Sequence, residues 1–122
     1  MNMDLSSCME KIKHSYLPIR YQKKLYYDLK QIEKSEIPKL CKIILFGSCA
    51  RNQLRVGSDI DLLLLAEENV TRELRGELSS DLAEPKDGVS TDLVFYTKND
   101  FENSNSLLIK EIKKDGLVLW EE

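Results

Sequence analysis

Residues 43–65 read IILFGSCARNQLRVGSDIDLLLL, and the spacing inside this stretch decides the fold. A short apolar, β-branched run ends in Gly47-Ser48. Ten residues follow, and then Asp59-Ile60-Asp61 opens a second apolar run. The first run, over 42–46, has the length and composition of a buried strand bounded by glycine. The second, over 60–66, is continuously apolar, so it predicts a strand buried on both faces. Along a strand, residues two apart share a face and lie about 6.6 Å apart. Asp59 and Asp61 therefore point to one side, with Ile60, Leu62 and Leu64 on the other. Two carboxylates held that way repel unless a cation lies between them. Their hard oxygens suit Mg²⁺ or Mn²⁺, which also accept phosphate oxygens as ligands. Gly47-Ser48 offers the complementary half, because glycine lets a phosphate approach the backbone and a helix start presents unpaired N–H groups. Ser48 is expected to cap a short helix reaching about residue 54, with Arg51 and Arg55 on it as neutralising cations.

Outward from this stretch, residues 4–16 carry Leu5, Cys8, Met9, Ile12 and Tyr16 at helical spacing, with Ser7 and Glu10 placed as a capping box. Pro18 suits the first turn of a second helix that Pro38 ends. Leu25, Leu29 and Ile32 form its apolar stripe. Residues 1–40 thus read as an N-terminal helical extension, and residues 41–122 as the core. Basic side chains gather in the extension at Arg20, Lys23, Lys24, Lys30, Lys34 and Lys39, with Lys42 just beyond. Asp28, Glu33 and Glu36 are interspersed, which predicts a solvated helix face. After the second strand, Thr71 is placed to cap a helix lined by Leu74, Leu78 and Leu82 and stopped by Pro85. Residues 91–96 form a third strand. A last helix over 105–115 turns Leu108 and Ile112 inward, with Gly116 as its C-cap, and residues 117–120 form a final strand. This order gives an α+β fold, a mixed sheet flanked by helices. Were the third strand to lie beside the second, Asp92 would join Asp59 and Asp61 in a three-carboxylate cluster able to hold two metal ions.

The bulk composition narrows the function classes. The chain has 122 residues, 42% hydrophobic and 32% charged, the size and make-up of one ordinary globular domain. A net charge of -3 argues against a general nucleic-acid surface. Cys8, Cys41 and Cys49 are odd in number and form no C-x-x-C pair, so neither a disulfide framework nor a zinc site is expected. The opening MNMDLSSCMEKIKHSY has no signal-peptide pattern, and no apolar run approaches membrane-spanning length; a cytoplasmic location is expected. His14 reads as a surface residue.

Gly47-Ser48, ten residues, then Asp59-x-Asp61 resembles the signature of the DNA polymerase β-like nucleotidyltransferases. The flanking FGSCARNQLRVGSDIDLLL and the ending IKKDGLVLWEE are similar to the small prokaryotic minimal nucleotidyltransferases, among them the MntA-type antitoxins paired with HEPN-domain toxins. The resemblance covers about 42–122 and leaves the helical extension unexplained. It implies the polymerase β-like nucleotidyltransferase fold. It also implies that Gly47, Ser48 and Arg51 bind the nucleotide triphosphate, that Asp59 and Asp61 ligate two Mg²⁺ ions (Mn²⁺ being an alternative), and that Asp92 supplies the third carboxylate. The implied reaction passes AMP from ATP to a hydroxyl, foremost a tyrosine of a HEPN toxin partner. The short chain favours an acceptor supplied by that partner. Two other readings stay open: an antitoxin acting by contact alone, and a nucleotidyltransferase for a small aminoglycoside-like substrate.

Overall fold

The structure, a computed structural model, describes residues 3–122. Its elements run α1 (Leu5–Lys13), α2 (Ile19–Ser35), β1 (Leu40–Phe46), β2 (Ile60–Ala66), α3 (Arg72–Ala83), β3 (Thr91–Thr97), α4 (Lys98–Asn103), α5 (Leu107–Asp115) and β4 (Leu117–Glu121). The α+β class and the mixed sheet follow the expectation. The sheet order is β3-β2-β1-β4. β1 pairs antiparallel with both β2 and β4, and β2 pairs parallel with β3. A parallel pair needs a crossover, which α3 supplies. The β1–β2 turn and the β2–β3 parallel step place the end of β1 and the starts of β2 and β3 at one end of the sheet. That end carries Gly47, Asp59, Asp61 and Asp92.

The apolar run of β2 is buried on both sides, as its sequence requires. Ile60, Leu62 and Leu64 join a back core with Ile43, Leu45, Leu78 and Leu82, while Leu63 and Leu65 join a front core with Ile44, Phe101, Ile109 and Ile112. The N-terminal helices are part of the back core through Cys8, Ile12, Leu17, Tyr21, Leu25, Leu29 and Ile32, so the same core takes side chains from both sides of residue 40. α1 also covers the edge strand β4, where Cys8 Sγ donates to Leu119 O at 2.8 Å and Lys11 Nζ to Val118 O at 2.9 Å. Those contacts occupy carbonyls an edge would otherwise present to another chain.

Several local expectations change. α1 is capped by Asp4, whose carboxylate accepts from Ser6 N at 3.0 Å, and not by a Ser7/Glu10 box. α2 ends at Glu36, which adopts a left-handed cap, before Pro38 is reached. The helix expected after Ser48 is a 3-10 turn, Gly47–Cys49, followed by an irregular loop. Ser48 makes no side-chain cap there. Asn52, at φ 55°, bends the chain out of helical geometry, a conformation asparagine tolerates better than most residues. α4 was not anticipated; Thr97 caps it by accepting from Asp100 N at 3.0 Å. On α5 the inward residues are Ile109 and Ile112, and Leu108 is 41% exposed. Gly116 does cap α5, its N–H donating to Ile112 O at 2.7 Å.

The largest departure is beneath the sheet. Lys24 and Asp28, read as part of a solvated face, are fully buried and paired at 2.5 Å. Lys24 Nζ also donates to Leu82 O and Thr91 Oγ1, both at 2.9 Å, and the Thr91 hydroxyl donates to Asp28 Oδ2 at 2.5 Å. Burial pushes the Asp28 carboxyl up, and hydrogen bonds from Lys24 and Thr91 oppose it. Every buried polar side-chain atom among the described residues has a partner. His14 is exposed beside Glu10, and all three cysteines are free.

Candidate active site

The site is assembled from three chain segments at one end of the sheet. Its centre is Asp61, which faces Phe46 across the antiparallel β1–β2 register and Asp92 across the parallel β2–β3 register. Asp61 and Asp92 are thus lateral neighbours on adjacent strands. Period-2 alternation puts them on the front face, with Leu63 and Leu65 of β2 and with Val94 and Tyr96 of β3. Asp59 lies just before β2 and is exposed, as is Asp92; Asp61 is half-buried.

Gly47 sits against this carboxylate. Its φ is +73°, and a Cβ there would collide with the Asp61 carboxylate, lying 3.3 Å from Asp61 Cγ. Sterics and backbone conformation therefore both require glycine. The turn after it is held by Gly47 O, which accepts from Ala50 N at 3.1 Å and Arg51 N at 3.2 Å, and by Ser48 O, which accepts from Gln53 N at 3.1 Å.

The electrostatics follow from this crowding. Burial, then the charges of Asp92 and Asp59, push the Asp61 carboxyl up to about 6, and Arg51 pulls the other way. The neighbouring Cys49 thiol is pushed up to about 12 by burial and by Asp61 and Asp59, so it stays protonated. Its Sγ donates to Asp59 O at 3.5 Å, a structural role in keeping with its place beside the motif.

A cavity of about 240 Å³ opens beside Asp61, lined by Phe46, Gly47, Arg51, Leu108, Glu111, Ile112 and Asp115 as well. Glu111 and Asp115 were not singled out in the sequence, and Leu108, expected to turn into the core, lines the cavity instead. The run Leu107-Leu108-Ile109 leaves the phase of α5 ambiguous, and only packing chose Ile109 for the core. Arg51 reaches the site, whereas Arg55 does not line it, because the helix that would have carried both is absent. Arg51 is exposed, and its Nε donates to Gln53 Oε1 at 3.2 Å.

Among the described residues, no three acidic, histidine or cysteine side chains converge closely enough to grip an ion as they stand. The donor chemistry nonetheless fits a hard divalent cation: three carboxylates, near enough for two of them to raise the pKa of the third, beside a turn whose glycine leaves the carboxylate uncovered.

This fold belongs to a known class. The family described as "Polymerase beta, Nucleotidyltransferase" matches residues 27–122, and the chain belongs to that family. More particularly, it is 33% identical over 87 residues to the protein adenylyltransferase MntA of Shewanella oneidensis, a match spanning 71% of this chain and 58% of that protein. It also resembles a solved toxin–antitoxin with AMP-PNP, at 29% identity and a TM-score of 0.60, covering 79% of this chain and 73% of the other. A third relative is a structure of a tri-AMPylated HEPN toxin from Shewanella oneidensis in complex with MNT antitoxin. There the identity is 29%, the TM-score 0.55, and the coverage 81% of this chain and 73% of the other. No helix among the described residues is long and apolar enough to cross a membrane.

Proposed function

We propose that this chain transfers AMP from ATP to a hydroxyl on a partner protein, foremost a tyrosine of a HEPN-type toxin, and so acts as an antitoxin by AMPylation. The observation that carries the reading is the register of Asp61 beside Asp92, with Gly47 backed against the Asp61 carboxylate. Its family and its likeness to an adenylyltransferase and to an AMPylated toxin complex support it.

In this reading the backbone of Gly47-Ser48 receives the polyphosphate and Arg51 offsets its charge. Asp59, Asp61 and Asp92 are the residues that would hold Mg²⁺, or Mn²⁺. Bound there, the ions would neutralise phosphate charge and stabilise the leaving pyrophosphate. The acceptor oxygen attacks the α-phosphorus in line; the new P–O bond forms as the α–β bridging P–O bond breaks, and pyrophosphate leaves. The hydroxyl proton passes to a carboxylate, a role assigned in this reading to Asp92; its exposure at the strand start supports the assignment. Alignment of the two oxygens about the phosphorus, more than any covalent chemistry by the protein, supplies the acceleration.

Neutralisation by contact alone is the second reading. One experiment separates the two. The chain is incubated with its co-purifying partner, Mg²⁺ and α-labelled ATP, beside Asp59→Asn/Asp61→Asn. Label on the partner that disappears in the double variant is the expected result. A variant that still silences the partner without label would leave contact as the mechanism. Label appearing on a small hydroxyl compound instead would redirect the reading to that substrate class.

A further inference from the structure

The N-terminal segment reaches the site from behind, through hydrogen bonds at both of its loops. The Tyr16 hydroxyl, between α1 and α2, donates its one proton to Ser48 O at 2.9 Å and shares it with Cys49 O. The Tyr21 hydroxyl, in the first turn of α2, donates to Ser58 O at 2.8 Å, in the residue before Asp59. One and two turns further along α2, Lys24 and Asp28 grip Thr91, in the residue before Asp92. Each segment that carries a site residue is therefore tied at a neighbouring residue to the helical extension. A phenylalanine would keep the same ring at either position, half-exposed at Tyr16 and buried at Tyr21; only the hydroxyl accounts for the contact with the loop carbonyl.

We propose that Tyr16 and Tyr21 are positioning residues of the nucleotide site, Tyr16 fixing the Gly47-Ser48 turn and Tyr21 fixing the approach to Asp59. The proposal rests on the nucleotidyl-transfer reading. The anchor itself is rigid: the Tyr21 ring is 1% exposed with the Arg20 guanidinium 5.0 Å from its centroid, and Gln22 Nε2 donates to Leu17 O at 2.7 Å, fastening the link between the helices. A donor at Ser48 O also polarises the peptide that follows, making the Cys49 N–H a stronger donor toward a phosphate. The two tyrosines act on different parts of the site, so their loss has different signatures. Without the Tyr16 hydroxyl the triphosphate turn loosens; without the Tyr21 hydroxyl the acids that take the metal are less well placed.

The test uses the full chain with ATP and Mg²⁺, with no need of a partner. Calorimetric titration gives the Kd for ATP at saturating Mg²⁺ and the Mg²⁺ concentration for half-maximal ATP binding, in wild type, Tyr16→Phe and Tyr21→Phe. Loss of one net hydrogen bond corresponds to a weakening of about threefold to tenfold. Tyr16→Phe is expected to raise the Kd for ATP by that factor at all Mg²⁺ concentrations. Tyr21→Phe is expected to raise the half-maximal Mg²⁺ concentration by that factor while the Kd at saturating Mg²⁺ stays near wild type. A merely structural contribution would lower the bound stoichiometry in step with the folded fraction and leave both constants unchanged, and that result overturns the proposal. A wild-type chain that binds no ATP overturns the functional reading and this proposal together, whereas wild-type binding matched by both variants overturns this one alone.

Discussion

The two faces of the sheet differ in what they are built to do. Behind it, α1, α2 and α3 bury a broad core of large aliphatic side chains, with Leu25, Ile43, Ile60, Leu62 and Leu82 fully covered. The front core is smaller, formed where α4 and α5 cover Ile44, Leu63 and Leu65, and it gives way to the cavity beside Asp61. Stability is thus concentrated on the face away from the chemistry, and the front keeps room for a ligand. A carboxylate that is to meet phosphate and metal, as proposed for Asp61, cannot be sealed as Asp28 is. Asp28 is buried with every oxygen partnered, while Asp61 is half-buried and crowded by like charge. The same residue type serves as a structural tie behind the sheet and, in the proposed function, as a metal-binding group in front.

Four variants would break or sharpen that contrast. Lys24→Met should have the largest effect, because it strands the buried Asp28 charge at a cost of about 3–5 kcal/mol, read as a fall in the midpoint of chemical unfolding. Lys24→Met/Asp28→Leu should recover most of that loss, since an apolar pair of similar volume avoids desolvating charge altogether. Failure of the double variant to recover would mean that the pair is needed for specificity of packing and not only for neutrality.

Gly47→Ala attacks the front face instead. The new Cβ must displace the Asp61 carboxylate, and a misplacement of that kind costs about 10²-fold in transfer rate. The unfolding midpoint should move far less than for Lys24→Met. An alanine variant with undiminished transfer would show that the proposed reaction does not need the turn and Asp61 held together.

The smallest effect is expected at the rim of the back face, where Tyr27 donates to Asp81 Oδ1 at 2.6 Å and Gln31 to Asp81 Oδ2 at 2.9 Å. The tyrosine hydrogen bond, then that of Gln31, holds the Asp81 carboxyl below its ordinary value, so its contribution is present above that ordinary value and lost as the pH falls through the lowered one. Asp81 in turn pushes Tyr27 from near 10 up to about 12, so this contribution is whole below pH 10 and disappears as the pH rises through 12. Asp81→Asn should cost about 1 kcal/mol at neutral pH and flatten both limbs of the stability–pH profile. Unaltered limbs would show that other groups set them.

The site was more legible in the sequence than its support. Alternation along a strand is a local property, so Asp59-Ile60-Asp61 and the leucine run after it fix which side chains face together before any partner is known. Gly47 was legible for the same reason, as the end of a strand that needs close approach. The loop from 48 to 58 was not, because Ser48, Arg51 and Leu54 are compatible with a helix and the left-handed turn at Asn52 is one of several conformations open to it. Ile109 and Leu108 compete for the same helical face, and the choice between them was made by Ile44 and Phe101 in the front core. Asp92 depended on a condition that sequence could not meet, namely that β3 lies beside β2.

By itself, then, the sequence determined the starts of β2 and β3, the facing of the acids and the family to which they belong, because those depend on spacing within a few residues. Only the tertiary structure decided that Lys24 and Asp28 are buried, since their burial requires Thr91 and Leu82, far along the chain, to offer the hydrogen bonds that make it tolerable. Tyr16 and Tyr21 are the same case. A tyrosine at helical spacing carries no sign of which distant carbonyl its hydroxyl will meet, and that meeting ties the helical extension to the site.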